Sequence, residues 1–274
     1  MGETTRSLQD SVVILGCRGS IPVAGKQFEH FGQATSCLLL RLGGSLAVVD
    51  AGTGILDLGQ KLLPEEVDIP LILTHAHLDH LLGLPMCPIA FRPDCRFHLY
   101  GKSRGGLTAE QQLRCLFAPP LWPVGPEVLP ASFDFQELEE TMALGAMQVV
   151  SLEGHHPGGV SLLRFQAGEK RVAVLLDCTL EGPWRETLLD FARDVDLLLC
   201  DGQYSPQEWP SHSHFGHSSW TQAAQFARDC GAKRLRVLHH DPNRSDEDLQ
   251  KAQKELQEIH PDAAFAYSGE ELLI

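Results

Sequence analysis

The stretch IPLILTHAHLDH, residues 69–80, runs from an apolar segment straight into three histidines and an aspartate. IPLILT has the length and composition of a buried strand. His75 and the residues after it therefore stand at a strand's carboxyl end. His75 and His77 are two apart, so in extended chain both face one side, which suits facial binding of one metal ion. Asp79 and His80 follow at once. If the chain turns into a helix there, these two point elsewhere and can ligate a second ion a few ångströms away.

Upstream, SVVILGC (11–17) is a short β-rich run, and CLLLRL (37–42) with GGSLAVVD (43–50) reads as a hairpin turning at Gly43-Gly44. Asp50 ends that strand, and a helix is expected at 54–63, stopped by Pro64. The proline-rich APPLWPVGPEVLP (118–130) excludes a regular helix or central strand and reads as a connecting or lid loop. Beyond it, MQVVSLE (147–153), VSLLRFQ (160–166), KRVAVLLD (170–177), VDLLLCD (195–201) and KRLRVLHH (233–240) each read as strands. Several deliver His or Asp at their carboxyl ends, so the chemistry collects on one edge. A helix at about 218–230 is marked by Ser218 or Ser219 as cap, apolar residues at helical spacing, and Gly231 as terminator. Two β-rich series, each with helices, indicate a duplicated α/β half and an αββα sandwich, read as one domain over 1–274.

The 274 residues are 43% hydrophobic and 21% charged, ordinary for a globular chain with a sizeable core. No apolar run approaches the roughly 20 residues a membrane helix needs, and MGETTRSLQD lacks a signal peptide's apolar segment. A cytoplasmic enzyme without membrane attachment is the expectation. The eight cysteines include no CxxC pair, so no zinc knuckle or thioredoxin-like site is written here, and reduced, buried thiols are expected. A formal charge of −14 opposes tight binding of long nucleic acid.

Asp177 closes VAVLLD, where an unpaired carboxylate would be costly to bury and bridging two cations would compensate it. A turn or capping aspartate is the alternative at that position. Residues 92–114 hold Arg92, Arg96, Lys102, Arg104 and Arg114 against few acids. They read as a solvated surface loop, with phosphate contact as the alternative.

These motifs, in this order, resemble the metallo-β-lactamase superfamily, and within it the branch of ribonuclease Z and cyclic-nucleotide phosphodiesterases. The resemblance covers nearly the whole chain. Asp50 in VVDAGTG matches the first acidic landmark and THAHLDH the second; His156 in HHPGG, Asp177 and His239 in LHHDP match the rest. The resemblance implies the four-layer metallo-β-lactamase sandwich and two divalent metal ions. His75, His77 and His156 would hold one, Asp79, His80 and His239 the other, with Asp177 bridging. His156 is preferred to His155 because the family's ligand directly precedes a turn, and His239 to His240 because it closes the strand. Zinc is the first expectation, with manganese or iron compatible with the same ligands. GCRGSIP (16–22) resembles the branch's opening turn and is given no catalytic role.

Two such ions serve phosphodiester, β-lactam, thioester and lactone hydrolysis alike. Resemblance to ribonuclease Z-like enzymes pairs Asp201 with His217, in Gly216-His217-Ser218, as a general acid for a leaving alkoxide. A helix-start histidine beside a solvated aspartate is the alternative. The short span from His156 to Asp177 leaves room for a hairpin but not for the long tRNA-gripping arm of that branch. A small phosphodiester such as a cyclic nucleotide is therefore the leading substrate. A ribonuclease Z-like RNA endonuclease is the runner-up, followed by a lactone or thioester hydrolase and a non-enzymatic binding domain. Oligomeric state stays open, a homodimer being the common arrangement.

Overall fold

Strands β1 (Ser11–Gly16) and β2 (Cys37–Leu42) are buried along their whole lengths, so both of their faces must be covered. Val12, Ile14, Leu38, Leu40 and Leu42 face one core, and Val13, Leu15, Cys37 and Leu39 face another. That alternation is the strand's period of two, and it defines two of the layers.

A computed structural model describes residues 9–274; the reading of the polar N-terminus falls, over residues 1–8, outside the described residues. The first sheet adds β3 (Ser45–Val49), β4 (Asp68–Ile72), β5 (Arg96–Gly101), β6 (Ser132–Glu137) and the last strand, β14 (Glu271–Leu273), in the order β14-β1-β2-β3-β4-β5-β6. The second holds β7 (Thr141–Leu144), β8 (Met147–Gly154), β9 (Val160–Ala167), β10 (Lys170–Leu175), β11 (Leu197–Asp201), β12 (Leu235–Leu238) and β13 (Ala263–Phe265), in chain order from edge to edge. Each sheet is antiparallel in its first part and parallel from β3 to β6 or from β10 to β13. The two β-rich series expected from the sequence form these two sheets, with the last strand, β14, returning to the edge of the first.

The sheets pack face to face over a core of both, Leu38 and Leu40 from the first with Phe165, Val174 and Leu199 from the second. Helix α1 (Ala109–Leu116) and several 3-10 turns cover the outer face of the first sheet. Helices α2 (Arg185–Phe191), α4 (Trp220–Cys230) and α5 (Asp246–Ile259) cover the second; α3 (Trp209–His212) is a single turn. The result is the αββα sandwich. Helix α4 starts where Ser219 accepts from the Gln222 N–H while the Gln222 side chain accepts from Ser219 N–H, and it stops at Gly231, at φ +74°. No helix of the described residues is long and apolar enough to cross a membrane.

Three expectations need correction. The helix expected at 54–63 is a 3-10 helix, Thr53–Gln60, that ends before Pro64. Two of its residues are glycines, and Gly54 lies so close to β1 that a Cβ would fall 2.7 Å from Gly16 N. Residues 92–114 are not a loop: they contain β5 and most of α1. Phe97 and Leu99 are buried on one face of β5, while Arg96 and His98 on the other pair with Asp68. Finally, Cys115 is exposed, whereas the other seven cysteines are free and buried as expected. Burial pushes the Cys17 and Cys178 thiols up to about 12, leaving them inert as nucleophiles.

Candidate metal centre

The parallel strands end on one edge, and their carboxyl ends carry the site. Asp50 follows β3, His75 lies three residues after β4, Asp177 two after β10, Asp201 ends β11, and His239 directly follows β12. Ser20, Asp50, Asp177 and His239 have φ of +64°, +61°, +50° and +62°. L residues rarely hold that conformation, at a cost of about 1–3 kcal/mol each, so the surrounding fold imposes it where the chemistry gathers.

Two donor sets lie side by side and share Asp177. His75, His77, His156 and Asp177 form one, and Asp79, His80, Asp177 and His239 the other; within each set the donor atoms lie within 4.8 Å of one another. In the first, His156 Nε2 is 3.0 Å from His77 Nδ1, and His75 Nε2 and His156 Nε2 are 3.7 and 3.9 Å from Asp177 Oδ2. In the second, His80 Nε2 is 3.2 Å from Asp177 Oδ1, and His239 Nε2 is 3.1 Å from Asp79 Oδ2 and 3.2 Å from Asp177 Oδ2. The turn that separates the sets is one 3-10 turn, Leu78–His80, entered from extended chain at His77.

The donor atoms have the character of cation ligands. His75 Nε2, His80 Nε2 and Asp177 Oδ1 are buried without a hydrogen-bond partner among the described residues. Orphaned buried atoms of this kind cost free energy; a cation in the first set would satisfy His75 Nε2, and one in the second would satisfy His80 Nε2 and Asp177 Oδ1. Burial, reinforced by the neighbouring His80, holds the His75 imidazole well below its usual range. Burial also pushes His156 down to about 4 and lowers His77, so this set offers neutral imidazole lone pairs. In the second set burial opposes charge, but His239 and His80 hold Asp177 well below the carboxylate range. His239 is itself raised to about 9, because Asp177 and Asp79 outweigh its burial.

An outer ring of contacts aims these donors. The buried Asp50 carboxylate accepts from Thr74 N–H at 2.8 Å, from Thr74 Oγ1 at 2.9 Å and from His80 Nδ1 at 2.7 Å, turning His80 Nε2 inward. Ser20 N–H donates to Asp79 Oδ2 at 2.8 Å. Gly19 allows that approach, since a Cβ there would fall 2.3 Å from His239 Nδ1. The opening turn GCRGSIP thus positions Asp79 through its backbone, a role that side-chain types in the sequence do not advertise. Asp50→Ala should lower affinity for a divalent ion about 10- to 100-fold, the scale seen when a metal ligand loses its orienting partner. Zinc titration against a chelating indicator measures this; unchanged affinity would show that His80 needs no such support.

Of the adjacent histidines, His156 and His239 enter the clusters. His155 stacks on Trp184, and His240 turns inward, donating from Nε2 to Ala266 O at 2.8 Å between Phe31 and Phe265. His217 Nδ1 donates to Asp201 Oδ2 at 2.6 Å, and the His217 ring centre is 4.8 Å from that of His239 and 4.9 Å from that of His156. Asp201 Oδ1 accepts from Ser218 N–H at 3.1 Å and Gln203 N–H at 3.2 Å, so the carboxylate is buried and held rather than solvated.

A family model described as a beta-lactamase superfamily domain matches residues 47–240. The chain belongs to the beta-lactamase superfamily. A curated relative, ribonuclease Z of Treponema pallidum, is 23% identical over 90% of this chain and 92% of its own length. The metallo-beta-lactamase fold protein YhfI of Bacillus subtilis superposes with a TM-score of 0.73 at 20% identity, over 96% of this chain and 99% of that one. A diphosphatase of the PhnP family superposes with a TM-score of 0.68 at 17% identity, over 97% of each chain. At these identities the structural likenesses show the fold. Membership and the His/Asp donor sets together make the chain a metal-dependent hydrolase.

Within this beta-lactamase superfamily member, the basic residues at 92–114 are mostly spent elsewhere. Arg92 pairs with Asp94, Arg96 with Asp68, and Arg114 with Glu110 and Glu127. Arg104 alone among those five lines the cleft of about 210 Å³ beside His75 and His77, and it is paired there with Glu153.

Proposed function

We propose that the chain is a phosphodiesterase acting on a small phosphodiester such as a cyclic nucleotide, as one hydrolase domain holding two divalent ions. His75, His77, His156 and Asp177 hold one ion, and Asp79, His80, Asp177 and His239 the other, Asp177 being common to both. Bound there, the ions supply Lewis acidity, making water a nucleophile at neutral pH and offsetting charge that develops on the substrate. The chain's own residues do the rest. The edge of the sandwich presents the phosphodiester to both donor sets, and Asp79, held by Ser20 N–H, faces the same centre.

The observation that carries this reading is the His217–Asp201 pair, 2.6 Å apart and packed against His239 and His156. With Nδ1 committed to Asp201, Nε2 is left to give its proton to a leaving oxygen. An alkoxide leaving from phosphorus needs that proton and a thiolate leaving from a thioester needs it less, so the pair favours P–O cleavage over thioester hydrolysis. The ribonuclease Z and diphosphatase likenesses support the same bond class. An RNA phosphodiester is the second reading, favoured by the ribonuclease Z relative. Against it stand the charge of −14 and the plain β9–β10 hairpin between His156 and Asp177. Zinc is the proposed metal, with manganese and iron suited to the same ligands. The eight free thiols support a reducing compartment, here the cytoplasm; a homodimer is proposed only as the common arrangement of soluble oligomers.

The test is to incubate metal-loaded protein with bis-p-nitrophenyl phosphate, cyclic AMP, a tRNA precursor and a lactone. Faster turnover of the two small phosphodiesters is expected. Preferential lactone hydrolysis would sink the phosphodiesterase reading, and preferential cleavage of the tRNA precursor would install the second.

A further inference from the structure

A second cleft, of about 300 Å³, opens on the other side of His156, lined by His155, Thr179, Trp184, Ser213, His214 and Gly216 among others. Its walls are sequence neighbours of the site: His155 precedes His156, Thr179 lies two after Asp177, and Gly216 precedes His217. The walls are also bonded together. Thr179 N–H donates to His155 O at 3.1 Å, His156 Nδ1 to Gly216 O at 3.1 Å, and Ser218 Oγ to Cys178 O at 2.8 Å. Whatever occupies this cleft is held at a fixed offset from the metal centre and from His217.

The His155 ring lies on the Trp184 indole, with centroids 3.4 Å and planes 19° apart. Trp184 is anchored by its Nε1, which donates to Thr179 O at 2.7 Å. Gly182, at φ +135°, lies so near the indole that a Cβ would fall 2.7 Å from the ring. His155 remains exposed although it is stacked. Core packing does not call for an exposed imidazole laid flat on a fixed indole beside an active site. A stacking surface for a planar ligand does.

We propose that this cleft is a subsite for a nucleobase, with the His155–Trp184 pair as its stacking platform and the polar side chains of Ser213 and His214 available to the base edge. The proposal rests on the phosphodiesterase reading for its choice of a nucleotide as ligand. It gives His155, which stands outside the donor sets, a role in choosing substrate.

Calorimetric titration of the metal-loaded protein with adenosine 5′-monophosphate and with ribose 5-phosphate isolates the base, because both ligands carry the same phosphate. The nucleotide should bind about tenfold more tightly or better, the scale of one base–aromatic stack. Trp184→Ala and His155→Ala should each erase most of that difference, and Trp184→Phe should keep it. Equal affinities in the unaltered protein overturn the subsite, whether or not any variant folds. A base preference that survives both alanine substitutions overturns it too, by placing the base elsewhere. A preference lost in both variants upholds the subsite even if no phosphodiester is hydrolysed, in which case the catalytic reading alone fails.

Discussion

Asp177→Ala should abolish turnover and leave both donor sets unable to hold an ion, the largest effect expected of any single substitution here. Asp177 Oδ1 faces His80 and Oδ2 faces His75, His156 and His239, so one carboxylate belongs to both donor sets and would serve both ions of the proposed centre. No single histidine belongs to both of these sets. Removing it also leaves His80 and His239 buried without the negative charge that holds both of them above the usual histidine range, so the metal-free variant is destabilised as well. Metal content by elemental analysis, with thermal melting and turnover of bis-p-nitrophenyl phosphate, reads all three effects. Asp177→Asn separates them, since it keeps the shape and loses the charge; it too should fail to retain two ions. Normal metal content in both variants would mean that Asp177 is a turn residue and that the sets do not share it.

His217→Ala should leave metal content intact and slow a natural phosphodiester by about 100-fold or more, the usual scale for general acid catalysis. Hydrolysis of bis-p-nitrophenyl phosphate should fall much less, because p-nitrophenolate departs without a proton. The two-substrate comparison is what distinguishes chemistry from support. His217 contacts His156 and His239, so its loss could also loosen them, and that would slow both substrates alike. Asp201→Asn should give the same selectivity more weakly, since it disturbs the orientation of His217 and not its presence. Equal losses on both substrates would make His217 a structural residue and remove the main support for P–O cleavage.

The sandwich is legible because its strands are written as apolar runs that end in histidine or aspartate, as in LILTHAH and VAVLLD. A polar residue closing a buried strand is informative, because burial there needs compensation. Helix α5 was not legible for the opposite reason. Only Leu249, Ala252 and Leu256 of its fourteen residues are buried, so the apolar stripe is thin, and its cap, Ser245 accepting from Asp248 N–H, lies in a run of charges. Strand β5 was hidden by Arg96, whose charge is paired with Asp68 across the sheet surface and does not mark a loop. At the site, the His and Asp residues of the donor sets were accessible to sequence reasoning. Ser20 was not, because it contributes a backbone N–H, and neither was the Thr74 link to Asp50, which joins positions 24 apart. The platform under His155 depends on Trp184, whose approach is fixed only by the loop after β10.

The number of ions the chain takes up decides whether the centre is dinuclear. Purified protein stripped with a chelator and titrated with zinc should bind about two equivalents, because seven ligands exceed what one four-coordinate zinc can use. Asp79→Ala should lower that to about one by disabling the second set while His75, His77, His156 and Asp177 keep the first. Saturation at one equivalent in the unaltered protein, with Asp79→Ala making no difference, would contradict the dinuclear centre.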